Sequence, residues 1–424
     1  MYLHPTVLPT LCEILDLPSS KCHIATVATW ADQHRYQMRW SAPLHYVGAL
    51  DDFPSKTCAF PGPRLWAGSK GINVLDGIQN TTRLLQDWVN EDVSDAVASE
   101  ALKFLIHFVG DMHQPLHLTG RDRGGNSVKV LFGRRHTSEL TWALFPRVVA
   151  FFLPAHSSPT SISCQHWFVS CLASFLFLMY RGKWMTDFAS YVDLHSLWDG
   201  FLIAKAVRTV SPNYSHPLPY PQVEKALRGT IYDPYIRRIL WEGILNPWGE
   251  DLPKWLSCPT PDPTSSGSGS GIGLLGMWES IYTATAKVAQ LFMKDGVDIN
   301  PDGPVVCPYF WATPIHKLNC DIIWPPALDE LLVNTRFRTG FDSHFHDHGS
   351  DEEAEDEVDD PSFDEPLIDL DTPEYAGVIE KQMIVEKLLA QGGIRLAGLL
   401  NYLFAPDKMG NPSPAPFLVH SVKA

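Results

Sequence analysis

The chain has 424 residues, 45% of them hydrophobic, and a formal net charge of -15, which together indicate a globular protein with a large core. Taken alone, this charge would exclude a nucleic-acid ligand, because phosphate backbones attract Lys and Arg. However, residues 342–371 hold 14 Asp and Glu and no Lys or Arg, leaving 34 of 48 acidic residues against 33 basic residues elsewhere, so nucleic acid stays open.

The N-terminal segment lacks the features of a secretory leader. It has no basic start, no long apolar core and no small-residue cleavage site. Cys12 and Cys22 nevertheless bracket a short segment, which favours a local disulfide and an oxidising compartment. The pattern leaves open a cytosolic protein and a longer, secreted product in which Met1 is an internal methionine.

Helix is the dominant signal along the chain. Apolar residues recur at three- and four-residue intervals over Asp76–Val89, Ser94–Met112, Gly276–Lys294 and Glu374–Phe404. Polar and apolar residues alternate over Ser127–Phe132, which predicts one short strand or ribbon. We therefore expect a mainly α fold with one short β-ribbon.

The densest chemical signal lies at the end of the second predicted helix. His107 and Asp111 are four residues apart, so they share one helix face and can bind one cation together. Pro115 should end the helix and turn the chain, so that His117 points at a second metal ion.

The same His and Asp spacing returns in His195 and Asp199, and Asp32 and His45 lie upstream. One such pair alone is more often structural, since 17 His residues leave some of them near an Asp by chance. Two pairs, with a further His beyond a helix-ending Pro, favour a metal site of His and Asp ligands, the donors that zinc prefers.

Three segments interrupt the helical pattern. Residues 138–193 are apolar and rich in Ser, residues 257–273 form a Pro, Ser and Gly linker, and residues 342–371 are the acidic run. We expect flexible loops in the last two. The most apolar window, Trp167–Tyr180, is short for a bilayer span of about 20 residues, so a membrane anchor is disfavoured.

The motifs together resemble the single-strand-specific zinc nucleases of fungi and plants, which are related to zinc phospholipase C. The matching stretches, in the order typical of that family, are Trp30-Ala-Asp32 with Arg35, Leu44-His45-Tyr46, His107 to His117, Gly124-Gly125-Asn126, Leu194-His195-Ser196-Leu197-Trp198-Asp199 and, more weakly, Gln391 to Asn401. The resemblance implies the helical fold of that superfamily and a single nuclease domain over residues 1–424, interrupted by the three segments.

The resemblance also implies three zinc ions and a role for each matched residue. Asp32, His45, His107 and Asp111 would hold one buried zinc, Asp111 would bridge to a second, and His117, His195 and Asp199 would hold a third, more exposed ion. Asp32 and Arg35 would be catalytic, with the guanidinium of Arg35 neutralising the transition state. Arg35 has the alternative of a surface salt bridge.

Two residues are expected to contact substrate. Tyr46 falls where the family stacks an aromatic ring on a base, although it could instead belong to the core. Asn126 follows two glycines, which permit close backbone approach, but a lone Gly-Gly-Asn motif is weak evidence. The implied substrates are single-stranded nucleic acid and nucleotides, with no stable protein partner and no membrane.

The implied activity is a zinc-dependent endonuclease acting on single-stranded DNA and RNA to give 5′-phosphorylated products, with 3′-nucleotidase activity as a further expectation. A zinc phospholipase C is the alternative enzyme. The family's N-terminal Trp and its following His are not recognisable here, which leaves a catalytically impaired zinc-binding product as a third reading, with two ions well held. Asn80 and Asn213 open glycosylation sequons, informative only for a secreted protein.

Three further features bear on the resemblance to the family. They are residues 138–193, Gly48 and the cysteines. The insertion splits a junction that the family crosses directly, so we expect a translated intron, with a membrane-touching hairpin as the rival. Gly48 stands where several relatives carry a base-contacting carboxylate. Cys58 with Cys320 resembles a long-range disulfide of the family, and a Cys258–Cys307 pair is left open.

Overall fold

The computed structural model describes residues 2–18, 23–62, 64–68, 71–133, 191–212, 214–218, 221–259, 302–303, 305–330 and 367–406. Helices dominate these residues and every strand has two or three residues, so the predicted mainly α fold is confirmed. The predicted helix Gly276–Lys294, residues 138–190, the linker beyond residue 259 and the acidic run up to residue 366 lie outside the described residues.

The described residues form twelve α-helices, eight turns of 3-10 or π-helix and four strands. The α-helices are α1 (Val7–Ile14), α2 (Trp30–His34), α3 (Val74–Val89), α4 (Asp95–Met112), α5 (Leu194–Ser196), α6 (Leu202–Thr209), α7 (Pro221–Leu227), α8 (Asp233–Arg238), α9 (Leu252–Leu256), α10 (Pro308–Leu318), α11 (Ala376–Lys381) and α12 (Ile384–Phe404). Turns of 3-10 helix lie at Ile24–Val27, Arg39–His45, Pro115–Leu118, Arg121–Arg123 and Gly249–Asp251, and turns of π-helix at Leu197–Phe201, Ile239–Ile244 and Asn319–Ile323. The strands are β1 (Gly48–Ala49), β2 (Trp66–Ala67), β3 (Lys129–Leu131) and β4 (Tyr191–Asp193).

The helix ends differ from the periodic pattern where side chains cap them. Helix α3 begins two residues before the predicted start, because the Asn73 side-chain oxygen accepts hydrogen bonds from the backbone nitrogens of Leu75 (2.8 Å) and Asp76 (3.1 Å). The predicted helix Glu374–Phe404 is two helices, α11 and α12. Met383 between them has φ +51°, a left-handed value that a continuous right-handed helix does not contain.

Two antiparallel ribbons replace the single one expected. The predicted strand forms β3 and pairs with β4, so Leu131 lies opposite Tyr191. Strand β4 covers the last three residues of the predicted 138–193 insertion. The end of that segment therefore already belongs to the ribbon. The second ribbon, β1 with β2, was not predicted, because strands of two residues carry no alternation to detect.

The hydrophobic core consists of two clusters of buried side chains. The larger is built around α3, α4 and α10, and the smaller around residues 206–256. Helix α12 contributes to both, with Leu399 in the larger cluster and Ile394 in the smaller. Among the described residues, no helix combines the length and the apolar character that crossing a bilayer requires.

A half-buried carboxylate caps α10 and predicts a pH dependence of stability. Asp302 accepts hydrogen bonds from the backbone nitrogens of Tyr309 (3.1 Å) and Phe310 (2.7 Å), yet burial raises the pKa of Asp302 to about 6. The folded protein then holds this proton more tightly than the unfolded chain does. The contribution of Asp302 to the free energy of unfolding should therefore fall as pH rises from about 4 to about 6, by up to ~3 kcal/mol.

The Asp302→Asn variant isolates this effect. The amide does not titrate, so the difference in unfolding free energy between wild type and variant should change over that pH range and level off above it. Urea unfolding of both proteins at pH 4, 5, 6 and 7 measures the difference. A difference that is constant across these four values contradicts the prediction.

Candidate metal centre

Six elements bring the seven predicted ligands to one place. Asp32 lies on α2, His45 at the end of the turn Arg39–His45, His107 and Asp111 on α4, His117 on the turn Pro115–Leu118, His195 on α5 and Asp199 on the turn Leu197–Phe201. The turn Pro115–Leu118, which follows α4, places His117 in a different direction from His107 and Asp111 on the helix. Residues from both sides of the segment 134–190 therefore contribute to one site.

The first group surrounds the imidazole of His107. Its Nε2 lies 3.0 Å from His45 Nδ1, 3.3 Å from Asp111 Oδ2 and 3.5 Å from Asp32 Oδ1. Asp111 Oδ2 also lies 3.0 Å from His45 Nδ1. Four side chains from three elements thus direct nitrogen and oxygen atoms at a shared point.

The second group adjoins the first near Asp111. Asp199 lies 3.6 Å from His117 Nε2 and 3.3 Å from His195 Nε2, and the rings of His117 and His195 stack with centroids 4.9 Å apart. The other oxygen of Asp111, Oδ1, lies 3.7 Å from His117 Nδ1. Asp111 therefore belongs to the first group, and its other oxygen lies near the carbonyl-bonded Nδ1 of His117 rather than near the Nε2 that faces Asp199.

Backbone carbonyls hold three of the four imidazoles in one orientation. The Nδ1 atoms of His107, His117 and His195 each lie 2.7 Å from a carbonyl oxygen, those of Ala28, His45 and Gly124 respectively. Each Nδ1 is thus the protonated nitrogen and donates to its carbonyl. When these imidazoles are neutral, Nε2 is therefore the unprotonated nitrogen and faces the carboxylates, which is the arrangement that metal-binding His residues use.

The spacing of the ligand atoms fits divalent cations. Ligands held at about 2.0–2.1 Å around a tetrahedral ion lie roughly 3.3 Å from one another. The distances from His107 Nε2 to its three partners and from Asp199 to the two imidazoles run from 3.0 to 3.6 Å. Asp32–His45–His107 and His117–His195–Asp199 each offer three ligand atoms that lie within 4.8 Å of one another, so both groups suit the His and Asp coordination of zinc-like ions.

The charge of the site also favours a cation. Burial lowers the pKa of His117, but the carboxylates of Asp111 and Asp199 outweigh burial and raise it to about 9. The carboxylates therefore draw positive charge into a mostly buried pocket. A metal ion would supply that charge in place of a proton.

Glycines shape the surroundings of the site. Gly124, with φ +63°, presents its carbonyl to His195, and a Cβ there would lie 2.8 Å from the carbonyl oxygen of Leu116. Gly48 stands in β1, where a Cβ would lie 3.0 Å from that of Ala67. The ribbon therefore explains why a larger, carboxylate-bearing side chain is disfavoured at Gly48.

The three residues expected to act on substrate lie on the surface around the centre. Tyr46, directly after His45, is 51% exposed, so it is not a core residue. Arg35 is exposed, with Nη2 donating to the Tyr36 hydroxyl at 2.9 Å rather than to a carboxylate. Asn126 is exposed and donates its amide nitrogen to the Arg123 carbonyl at 2.7 Å.

Two polar residues of the α4 motif were missed from the sequence. The Gln114 side chain accepts from Leu116 N (2.6 Å), capping the turn Pro115–Leu118, and donates to Asp199 Oδ1 (2.7 Å). His113 points away from the ligands, and burial, with the charge of Arg395, lowers its pKa to about 3. Only the position of Gln114 just before Pro115 signalled a cap, and no periodic pattern marked either role.

Two disulfides fix the elements around this site. Cys58 is joined to Cys320, and Cys258 to Cys307, the pair that the sequence left open. The Cys58–Cys320 bond spans 262 residues of sequence, so it ties the loop after β1 to the turn after α10. Cys22 lies outside the described residues, and its pairing with Cys12 stays a prediction.

Comparison with known proteins matches the first third of the chain to one family. Residues 1–141 match the family model described as S1/P1 Nuclease. The chain is 38% identical to Nuclease P1 of Penicillium citrinum over 120 residues, which cover 28% of this chain and 42% of that protein. It is 34% identical to Nuclease S1 of Aspergillus oryzae over 131 residues, covering 30% and 43%.

A plant protein matches a longer stretch at lower identity. Endonuclease 4 of Arabidopsis thaliana is 26% identical over 245 residues, which cover 55% of this chain and 56% of that protein. The chain thus spans less than half the length of the fungal relatives and about half that of the plant one. These similarities confirm the resemblance to the nuclease family that the motifs indicated.

Proposed function

We propose, with the S1/P1 nuclease match of residues 1–141 as the premise, that this protein is a zinc-dependent endonuclease. Its substrates are single-stranded DNA and RNA, and it leaves 5′-phosphorylated products, with 3′-nucleotidase activity on single nucleotides. The observation that carries the proposal is the pair of neighbouring imidazole and carboxylate groups, one around His107 and one around Asp199. Adjacent ion sites of this kind suit in-line displacement at a phosphodiester.

Zinc held by these residues would supply an activated water and a positive charge beside the departing 3′ oxygen. Asp32, His45, His107 and Asp111 are the residues that would hold the inner ion, and His117, His195 and Asp199 those that would hold the outer one. The protein's own contribution is to keep the imidazoles in one tautomer through carbonyls such as that of Ala28. This order costs no rearrangement when substrate arrives.

The exposed ligands indicate how a substrate phosphate reaches the centre. Asp32 and Asp199 are 59% and 46% exposed, whereas Asp111 between the groups is 12% exposed. The open side of the centre therefore carries Asp32 and Asp199. Arg35 lies three residues after Asp32 on that side, where its guanidinium can pair with a phosphate oxygen as charge develops.

The decisive experiment is cleavage of end-labelled oligonucleotides by metal-depleted protein before and after zinc is added back. We expect no cleavage without zinc, cleavage of single-stranded DNA and RNA with zinc, much slower cleavage of duplex, and 5′-phosphate ends. A zinc-loaded protein that leaves all oligonucleotides intact overturns the nuclease proposal. Hydrolysis of a choline phospholipid in place of DNA would instead support the phospholipase C alternative.

The aromatic ring of Tyr46 provides a separate prediction about substrate binding. Base stacking on an aromatic side chain is worth about 1–3 kcal/mol per base, so Tyr46→Ala should raise KM on single-stranded DNA roughly 5- to 150-fold with little change in kcat. Tyr46→Phe keeps the ring and should behave like wild type. Tyr232→Ala is the matched control, because Tyr232 is also exposed, at 42%, and lies within residues 206–256. An unchanged KM in Tyr46→Ala contradicts the stacking role.

The compartment follows from the same proposal. Two disulfides persist most readily in an oxidising environment, which supports a secreted protein. We also propose one nuclease domain, because α12, near the C-terminus, packs in the same core cluster as α3 and α4. Mass measurement of the protein with and without reductant and alkylation tests the disulfide pairing.

A further inference from the structure

A buried arginine from the last helix contacts the turn that joins the two ligand groups. Arg395 on α12 is 3% exposed, and its Nε donates to the Trp255 carbonyl at 2.9 Å. Its Nη1 lies 2.8 Å from Nε2 of His113, which is 6% exposed. Neither Arg395 nor His113 is a ligand in the centre described above.

The hydrogen bonds fix the state of His113. Arginine has only donors, so Nε2 of His113 accepts from Arg395. Nδ1 of His113 lies 2.6 Å from the Val109 carbonyl oxygen and is therefore the protonated nitrogen. His113 thus connects α12 to the last turn of α4, because its Nε2 accepts from Arg395 and its Nδ1 donates to the Val109 carbonyl.

Arg395 is an expensive group to bury in this way. Its described contacts are the Trp255 carbonyl, the His113 ring and the face of Trp311, 5.4 Å from the guanidinium carbon, and within the described residues no carboxylate pairs with it. A buried cation that lacks a counter-charge costs several kcal/mol. An apolar side chain would fill the space at less cost, so stability alone does not account for arginine here.

The position of His113 shows what the contact controls. His113 is the residue after α4 and stands between Asp111, which belongs to the first ligand group, and His117, which belongs to the second. The next residue, Gln114, caps the following turn and donates to Asp199. A shift of His113 would move these side chains relative to one another.

Helix α12 is also built to approach His113 closely. At Gly392, one turn before Arg395, an added Cβ would lie 3.4 Å from the His113 ring. The helix backbone therefore passes the ring at Gly392 at a distance that leaves room for no more than a Cβ, and Arg395 donates a hydrogen bond to the ring. Both contacts come from one rigid helix of 21 residues.

We propose that Arg395 is a positioning residue, which acts through His113 to hold the turn between Asp111 and His117 so that both ligand groups fit their ions at once. The inference rests on the proposed function, because it assumes that those groups bind zinc. It concerns ion affinity, and so it can be measured without any nuclease assay.

The test is zinc binding to metal-depleted full-length protein, measured by competition with a chromophoric chelator. Arg395→Met should weaken zinc binding about 10- to 100-fold, the usual effect of removing a group that orients a metal ligand. His113→Gln keeps an acceptor for Arg395 and should bind zinc more tightly than Arg395→Met does. Arg395→Lys keeps the charge but lacks the planar guanidinium that donates to Trp255 and His113 at once. We expect its zinc affinity to lie between those of wild type and Arg395→Met.

The control is a buried arginine far from the centre. Arg237, on α8 in the smaller core cluster, is 6% exposed and pairs with Glu224 and Asp233. Arg237→Met should lower stability yet leave the zinc affinity of the folded protein unchanged. If Arg395→Met does not fold, Arg395→Lys carries the test.

Each outcome bears on a different claim. Wild-type protein that binds no zinc overturns the proposed function itself. Wild type that binds zinc, with folded Arg395 variants that bind it within twofold as tightly, overturns only the positioning role. A loss of affinity in the Arg395 variants that Arg237→Met does not share supports it.

Discussion

Replacing Asp111 with Asn is expected to lower kcat/KM on single-stranded DNA by about 1,000-fold or more. The carboxylate lies within 3.3 Å of nitrogens of His45 and His107, so the substitution changes the group that would hold the inner ion. The amide removes the charge and places an N–H donor against one of these imidazoles. Weakening the ion that would activate the attacking water should cost roughly 4 kcal/mol of transition-state stabilisation.

Zinc content and kinetics should be measured on the same preparations of Asp111→Asn. Elemental analysis should show less than the wild-type zinc, and circular dichroism should show the wild-type helix content. Asp87→Asn, which removes a carboxylate paired with Arg83 on α3, is the matched control and should keep wild-type activity. If Asp111→Asn keeps both its zinc and more than a tenth of wild-type kcat/KM, Asp111 is not a ligand of the inner ion.

Replacing Arg121 with Met is expected to destabilise the protein by about 3 kcal/mol. The guanidinium is 1% exposed, pairs with Asp329, donates to the Ser55 hydroxyl at 3.1 Å and lies 3.8 Å from the Trp324 ring centroid. Removing one partner leaves Asp329 partly buried without its counter-charge, and such losses cost about 3–5 kcal/mol. We take the lower value because Asp329 is 19% exposed.

Urea unfolding monitored by tryptophan fluorescence measures this change. Arg83→Met is the control, because Arg83 is 63% exposed and pairs with Asp87 one helical turn away. A pair of that kind contributes about 0.3–0.5 kcal/mol. Equal shifts of the unfolding midpoint in the two variants would show that Arg121 is not a structural cation.

Two pairs of the predicted ligands, His107 with Asp111 and His195 with Asp199, could be recognised from the sequence because the geometry within each pair is local. A helix places His107 and Asp111 on one face whatever packs around it, and Pro115 redirects the chain before His117. The structure brings these residues together with Asp32, His45, His195 and Asp199, as the resemblance to the nucleases implied. Their roles in binding zinc remain a proposal that the variants above test.

The features that sequence reasoning missed depend on distant contacts. Strands β1 and β2 are two residues long and exist because Gly48 meets Ala67 across the ribbon. The contact between His113 and Arg395 joins residues 282 positions apart. Met383 interrupts a pattern that is helical on both sides, since the periodicity of apolar residues does not report a single left-handed residue.

The β3–β4 ribbon has a consequence for how the chain tolerates the sequence between its strands. Leu131 and Tyr191 are paired in the ribbon, so the segment between them begins and ends at neighbouring positions. Doubling the length of such a closed loop costs only about 0.6 kcal/mol of chain entropy. Evolution or splicing can therefore lengthen or shorten this segment at a small entropic cost, while the two strands continue to place His195 beside the carbonyl of Gly124.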